Sequence, residues 1–131
     1  MEQKKRDLKF GLNSEKNTLF KIRELFGEDI ERTNQYDIFD YENESYQIEL
    51  KTRRKMKSSS YYDIMIGLNK IEIAEKTKNK ISVFLWKLND GLFVWKFNKN
   101  QYSVRMGGRC DRGRDERRFC AYVPIKYLGK V

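Results

Sequence analysis

YDIFDYENESYQIELK, residues 36–51, is the stretch on which the fold turns. From Tyr46 to Lys51 the side chains alternate, with Tyr46, Ile48 and Leu50 on one face of an extended chain and Gln47, Glu49 and Lys51 on the other. This period of two predicts a strand over Ser45–Thr52 that lays an apolar face on a core while a carboxylate and an ammonium project together from the opposite face. Upstream, Tyr36–Tyr41 and Asp29–Thr33 read as further short strands, with Asn43 in the turn before Ser45. A hairpin joining Tyr36–Tyr41 to Ser45–Thr52 would bring Asp37 or Asp40 beside Glu49. In a regular strand those two aspartates lie on opposite faces, so at most one belongs to the same site as Glu49.

Working outward, Leu19, Phe20, Ile22, Leu25 and Phe26 recur at helical spacing within Ser14–Phe26, behind Asn13 or Ser14 as a cap and ahead of Gly27 as a stop. After a basic, serine-rich loop over Arg53–Ser60, the spacing of Tyr62, Met65, Ile66, Asn69, Ile73 and Ala74 predicts a second helix over Tyr61–Lys76. Ile81–Leu88 and Leu92–Phe97 flank Asn89-Asp90-Gly91, a tight-turn signal, and form a hairpin whose Phe84, Trp86, Phe93, Trp95 and Phe97 are expected mostly in the core. Phe119–Val123 and Pro124–Leu128 close the chain. The order αβββαββ points to an α+β or mixed-sheet protein. With Pro124 the only proline, no linker-like stretch and no internal repeat, residues 1–131 are expected to form one domain.

The charge balance narrows the partners. Lys and Arg number 28 against 19 Asp and Glu, giving +9, so a polyanion is the favoured partner. No stretch reaches the ~20 apolar residues of a membrane span, and the basic N-terminus is not followed by the apolar run of a signal peptide. The expected setting is therefore intracellular, cytoplasmic or beside the genome, with nucleic acid as partner, no membrane, and a monomer or homodimer. The absence of histidine and the presence of only Cys110 and Cys120, read as reduced thiols, exclude a Cys/His zinc site within one chain. Acid-base chemistry then falls to carboxylates, lysine, tyrosine, cysteine or metal-bound water. Two adjacent carboxylates repel unless a cation lies between them, and an all-oxygen donor set with few protein ligands suits Mg²⁺ or Mn²⁺. A Glu-x-Lys triplet also arises by chance on a solvent-facing strand when 36% of residues are charged, so spacing has to carry the argument.

That spacing resembles the PD-(D/E)XK nucleases, in the small stand-alone form that includes Holliday-junction resolvases and exonuclease-like enzymes. The resemblance lies in Asp37, eleven intervening residues, then Glu49-Leu50-Lys51 ending an apolar strand, with Glu15 on a preceding helix, and it covers roughly residues 11–76. It implies a restriction-endonuclease-like αβββαβ core, a central mixed sheet flanked by helices, here with a C-terminal β hairpin. It further implies a Mg²⁺- or Mn²⁺-dependent nuclease acting on nucleic acid, DNA in the first instance. Asp37 and Glu49 would ligate the metal, the Leu50 carbonyl and Glu15 could add oxygens, and Lys51 would orient or activate the attacking water. The family's proline before the aspartate is Tyr36 here, and Asp40 is a rival for Asp37. Glu15 could equally be ordinary helix N-terminal charge.

Substrate contacts are sought where cations cluster. Lys51–Lys57 carries five cations and no acid, making Arg53, Arg54, Lys55 and Lys57 candidates for phosphate contact. Arg105–Arg118 has six arginines against three acids, with glycines that let backbone approach a phosphate, which brings in Arg109, Arg112 and Arg114 as a DNA-contacting flap or a plain polar hairpin. Lys70 would face the same site from the second helix or pair with a neighbouring glutamate. The competing reading is a non-catalytic basic module that grips nucleic acid without cutting it; a basic protein with an acidic protein partner is a third.

Overall fold

The computed structural model describes residues 17–107 and 118–131. Glu15, Arg109, Cys110, Arg112 and Arg114 lie outside them. The first helix, α1, covers residues 17–26 and buries Thr18 and Ile22. Gly27 ends it at φ +135°, a conformation that side chains strain to adopt, while its N–H donates to the Arg23 carbonyl at 2.9 Å.

A mixed six-stranded sheet follows, in the order β1-β2-β3-β5-β6-β9. Its strands are β1 (Glu31–Arg32), β2 (Tyr41–Glu42), β3 (Tyr46–Arg53), β5 (Ile81–Leu88), β6 (Gly91–Lys96) and β9 (Gly129–Lys130). β3 and β5 run parallel along their whole length, from Tyr46 beside Ile81 to Arg53 beside Leu88. The connection between them supplies β4 (Asp63–Gly67) and helix α2 (Leu68–Lys76). β4 joins a second, three-stranded sheet with β8 (Arg118–Pro124) and β7 (Ser103–Gly107), in the order β4-β8-β7.

The central strand β5 explains why the sheet has two cores. Val83 and Leu85 face one side, with Ile22, Ile30, Tyr41 and Ile48. Phe84, Trp86 and Leu88 face the other, against Ile71 of α2 and Ile64, Ile66, Ala121 and Val123 of the second sheet. β5 lies between parallel β3 and antiparallel β6 with a core on each face of the sheet, and Ser82 to Trp86 are accordingly all buried. The hairpin aromatics are core: Trp95 packs 5.5 Å from Phe84, centroid to centroid.

Two sequence expectations are corrected. Tyr61–Lys76 is not one helix: Asp63–Gly67 is a strand paired antiparallel with β8, and only Leu68–Lys76 is helical. Ile64 and Ile66 point inward in alternation, a period-two pattern within an apolar run that also fits helical spacing, and pairing with distant β8 decides between them. Tyr36–Tyr41 is likewise not one strand, since residues 35–40 are turn and bend and β2 begins only at Tyr41. Phe39 enters one core and Tyr41 the other, which two positions of a regular strand two residues apart cannot do.

Candidate active site

β3 behaves as its alternation predicts. Ile48 is fully buried on the α1 side, and Glu49 points to the α2 side, where it is only 6% exposed. Lys70, in the first turn of α2, reaches across and forms an ion pair with Glu49 Oε1. Glu49 Oε2 is buried and has no hydrogen-bond partner among the described residues. Burial pushes the Glu49 carboxyl above its ordinary range; the Lys70 hydrogen bond opposes this and the nearby Asp40 charge reinforces it. Lys51 follows on the same face, and its ammonium is shifted the other way. Burial lowers its pKa first, then the positive charges of Lys70 and Arg53, against the attraction of Glu49 and Asp40.

The aspartate that shares this environment is Asp40. Its N–H donates to the Ile48 carbonyl at 2.8 Å, and its Oδ2 accepts the Leu50 N–H at 2.9 Å. The side chain thus takes over the role of a neighbouring strand just before β2 begins. The N–H and C=O of one strand residue point to the same edge, so the Leu50 carbonyl also faces the Asp40 side. Asp40 is held from several directions: Phe39 is buried against Phe84 with ring centroids 5.7 Å apart, Tyr41 is buried in the opposite core, and the Thr33 N–H donates to the Asp40 carbonyl at 2.9 Å.

Asp37 sits elsewhere. It is exposed, its N–H donates to the Asn34 carbonyl at 2.9 Å, and its Oδ2 accepts the Asn34 N–H at 3.0 Å. Aspartate closing a turn on its own backbone in this way is a common local use of the residue. Among the sequence candidates, then, Glu49, Lys51 and Lys70 converge, Asp40 joins them, and Asp37 does not.

The basic loop after β3 is fastened rather than loose. The Asn89 N–H donates to the Met56 carbonyl at 2.8 Å, Asn89 Nδ2 to the Arg54 carbonyl at 3.1 Å, and the Ser58 N–H to Asp90 Oδ1 at 3.0 Å. The backbone of the loop is thereby pinned to the β5–β6 turn while Arg53, Arg54, Lys55 and Lys57 remain exposed. Clustered cations on a fixed backbone suit a polyanion. Sequence reading missed Asp63, Arg105 and Tyr122, which lie beyond Lys51, because β4 was expected to be helix.

Among the described residues no group of three or more His, Cys, Asp or Glu could hold a metal ion. The two carboxylates Asp40 and Glu49 with the Leu50 carbonyl would offer an all-oxygen donor set. The unpartnered buried Oε2 is an acceptor that a cation would satisfy. This fits Mg²⁺, which binds through one or two carboxylates and keeps several waters.

An α+β chain with a mixed central sheet, helices on both faces and this acidic pair beside a lysine has a restriction-endonuclease-like fold. No helix among the described residues is long and apolar enough to cross a membrane. The chain belongs to the family described as "Phage putative PDDEXK endonuclease", whose model matches residues 28–131, and so to the PD-(D/E)XK nucleases that residues 37–51 resemble. No curated protein and no solved structure matches it.

Proposed function

We propose that the chain is a single-domain, Mg²⁺- or Mn²⁺-dependent nuclease that hydrolyses phosphodiester bonds in DNA inside the cell, with Asp40, Glu49 and Lys51 at its centre. The observation that carries this reading is the buried, half-partnered Glu49 carboxylate flanked by Asp40, Lys51 and Lys70. Burying an unpaired carboxylate oxygen costs stability, and such a cost at one point in a well-packed core is most simply explained by a ligand that offsets it.

Asp40 and Glu49 would hold the metal with the Leu50 carbonyl. When bound, a divalent cation supplies charge neutralisation at the phosphate and makes its bound water more acidic. Lys70 keeps Glu49 Oε1 paired in the metal-free chain and, once released, would stand as a cation beside the phosphate. Lys51 has its proton loosened by burial and by Lys70 and Arg53, so it can donate to a leaving oxygen or, deprotonated, draw a proton from the attacking water. Arg53, Arg54, Lys55 and Lys57 would grip neighbouring phosphates on their pinned loop.

The test is incubation of the purified chain with labelled duplex, branched and single-stranded DNA in Mg²⁺, Mn²⁺ or EDTA. Cleavage with metal and none with EDTA is expected. Binding without cleavage of any substrate would leave the non-catalytic module as the better reading.

A further inference from the structure

Beyond Lys51, between the ends of β3 and β4, lies a cleft of about 380 Å³. Lys51 and Arg53 line it on the side of the site, and Asp63 lies in its wall. Most of the remaining wall is apolar or aromatic: Met56, Tyr61, Trp86 and Tyr122. Two features mark it as built rather than incidental. Arg105 lies over the Tyr122 ring, 4.1 Å from its centroid, and also pairs with Asp63 Oδ2 at 2.5 Å, so ring and carboxylate are fixed by one guanidinium. Tyr61, which follows the pinned basic loop, holds its ring at the surface with 67% exposure, where no core packing accounts for it.

We propose that this cleft receives one unpaired nucleobase next to the scissile phosphate, so that the substrate is nucleic acid with an unpaired nucleotide at the cut site. The chemistry of the walls selects it. A nucleotide joins a phosphate, which Lys51 and Arg53 attract, to a flat aromatic group that stacks on tyrosine. Arg105 holds Asp63 Oδ2, and Asp63 Oδ1, which has no other partner among the described residues, can accept from an exocyclic amino group, as acidic side chains do from cytosine. A base inside an intact duplex is stacked and paired and cannot enter, whereas an unpaired base enters at little cost. The volume falls at the lower end of the ~300–1,000 Å³ range of small-ligand pockets and suits one base, not a base pair. The assignment rests on the nuclease reading for the phosphate beside Lys51, but not for the cleft's stacking chemistry.

Binding of two duplexes of equal length in EDTA tests it, one blunt and fully paired, the other carrying a single unpaired 2-aminopurine. The second should bind more tightly, with its fluorescence quenched on stacking. Tyr61→Ala should abolish the quenching and weaken this binding on the order of tenfold while leaving the paired duplex within about twofold; Tyr61→Phe should retain both signals. Equal affinity for the two duplexes without quenching, or wild-type behaviour of Tyr61→Ala, overturns the proposal. Because no metal is present, the result is independent of cleavage. Quenching that depends on Tyr61 in a protein that cuts nothing with Mg²⁺ would uphold the base cleft and remove the nuclease reading.

Discussion

Ile48 and Glu49 are adjacent on one strand and almost equally hidden from water, at 0% and 6% exposure, yet they face different problems. Ile48 meets Ile22, Ile30, Val83 and Leu85, and its burial stabilises the fold in proportion to the apolar area removed from water. Glu49 meets one ammonium and, among the described residues, leaves an oxygen unpartnered, in surroundings that raise its pKa. The α1 face of β3 therefore packs the chain together, and the α2 face carries a buried carboxylate whose burial is unfavourable to its charge. If this division is right, substitutions on the two faces should separate activity from stability.

The largest effect is expected for activity on the α2 face. Glu49→Ala and Lys51→Ala should each lower single-turnover cleavage on the order of 10³-fold while leaving affinity for DNA in EDTA nearly unchanged, because exposed cations on the pinned loop supply most of the binding. Rapid-quench kinetics beside fluorescence anisotropy would show it. A loss of binding as large as the loss of rate would mean that this face is structural too.

Next comes stability on the α1 face. Ile48→Ala opens a cavity in a fully packed cluster and should cost about 2–5 kcal/mol in urea denaturation, with residual folded protein still able to cut. A cost below ~1 kcal/mol would place the stabilising core elsewhere.

A smaller and sign-specific effect is expected from titration of Glu49. Its folded-state pKa lies above the ordinary 4.5, so the fold favours the neutral acid. The associated stability is complete below 4.5 and is lost as pH rises through the higher folded value. Glu49→Gln cannot ionise and should therefore lose less stability than the wild-type chain across that rise in metal-free buffer. Added Mg²⁺ should raise the Tm of wild type and not of Glu49→Gln. Parallel pH–stability curves for the two proteins would contradict the burial argument.

What could be read from sequence followed the range of the interactions. Glu49 and Lys51 were legible because Tyr46, Ile48 and Leu50 define the strand's faces locally, and α1 ended at Gly27 because a left-handed residue stops a helix. β4 was not legible: Tyr62, Met65 and Ile66 suit a helix as well as a strand, and the partner that chooses, β8, lies far along the chain. The parallel pairing of β3 with β5 depends equally on that crossover. The choice between Asp37 and Asp40 is a different matter, because family spacing and local geometry point to different residues. Spacing favours Asp37, but strand alternation does not hold across residues 35–40, where Phe39 and Tyr41 are drawn into opposite cores and the intervening Asp40 is turned onto the Leu50 amide.

Asp37→Asn carries the smallest expected effect, and set beside Asp40→Asn it gives the sharpest test of the comparison. Family spacing favours Asp37 as the metal-binding aspartate, and the geometry favours Asp40. In Asp37→Asn the amide oxygen can still accept the Asn34 N–H, so the turn over residues 34–37 should persist and cleavage should stay within about twofold of wild type. Asp40→Asn also keeps an acceptor for the Leu50 N–H, so its backbone contact survives while its charge beside Glu49 and Lys51 disappears. Cleavage should then fall far more than stability does. The two variants differ by one oxygen-to-nitrogen exchange at sites three residues apart, which leaves little room for a general folding defect to imitate the result. Should Asp37→Asn abolish cleavage and Asp40→Asn spare it, the turn must rearrange when DNA and metal bind, and the buried face of β3 would be a support for the active site instead of its centre.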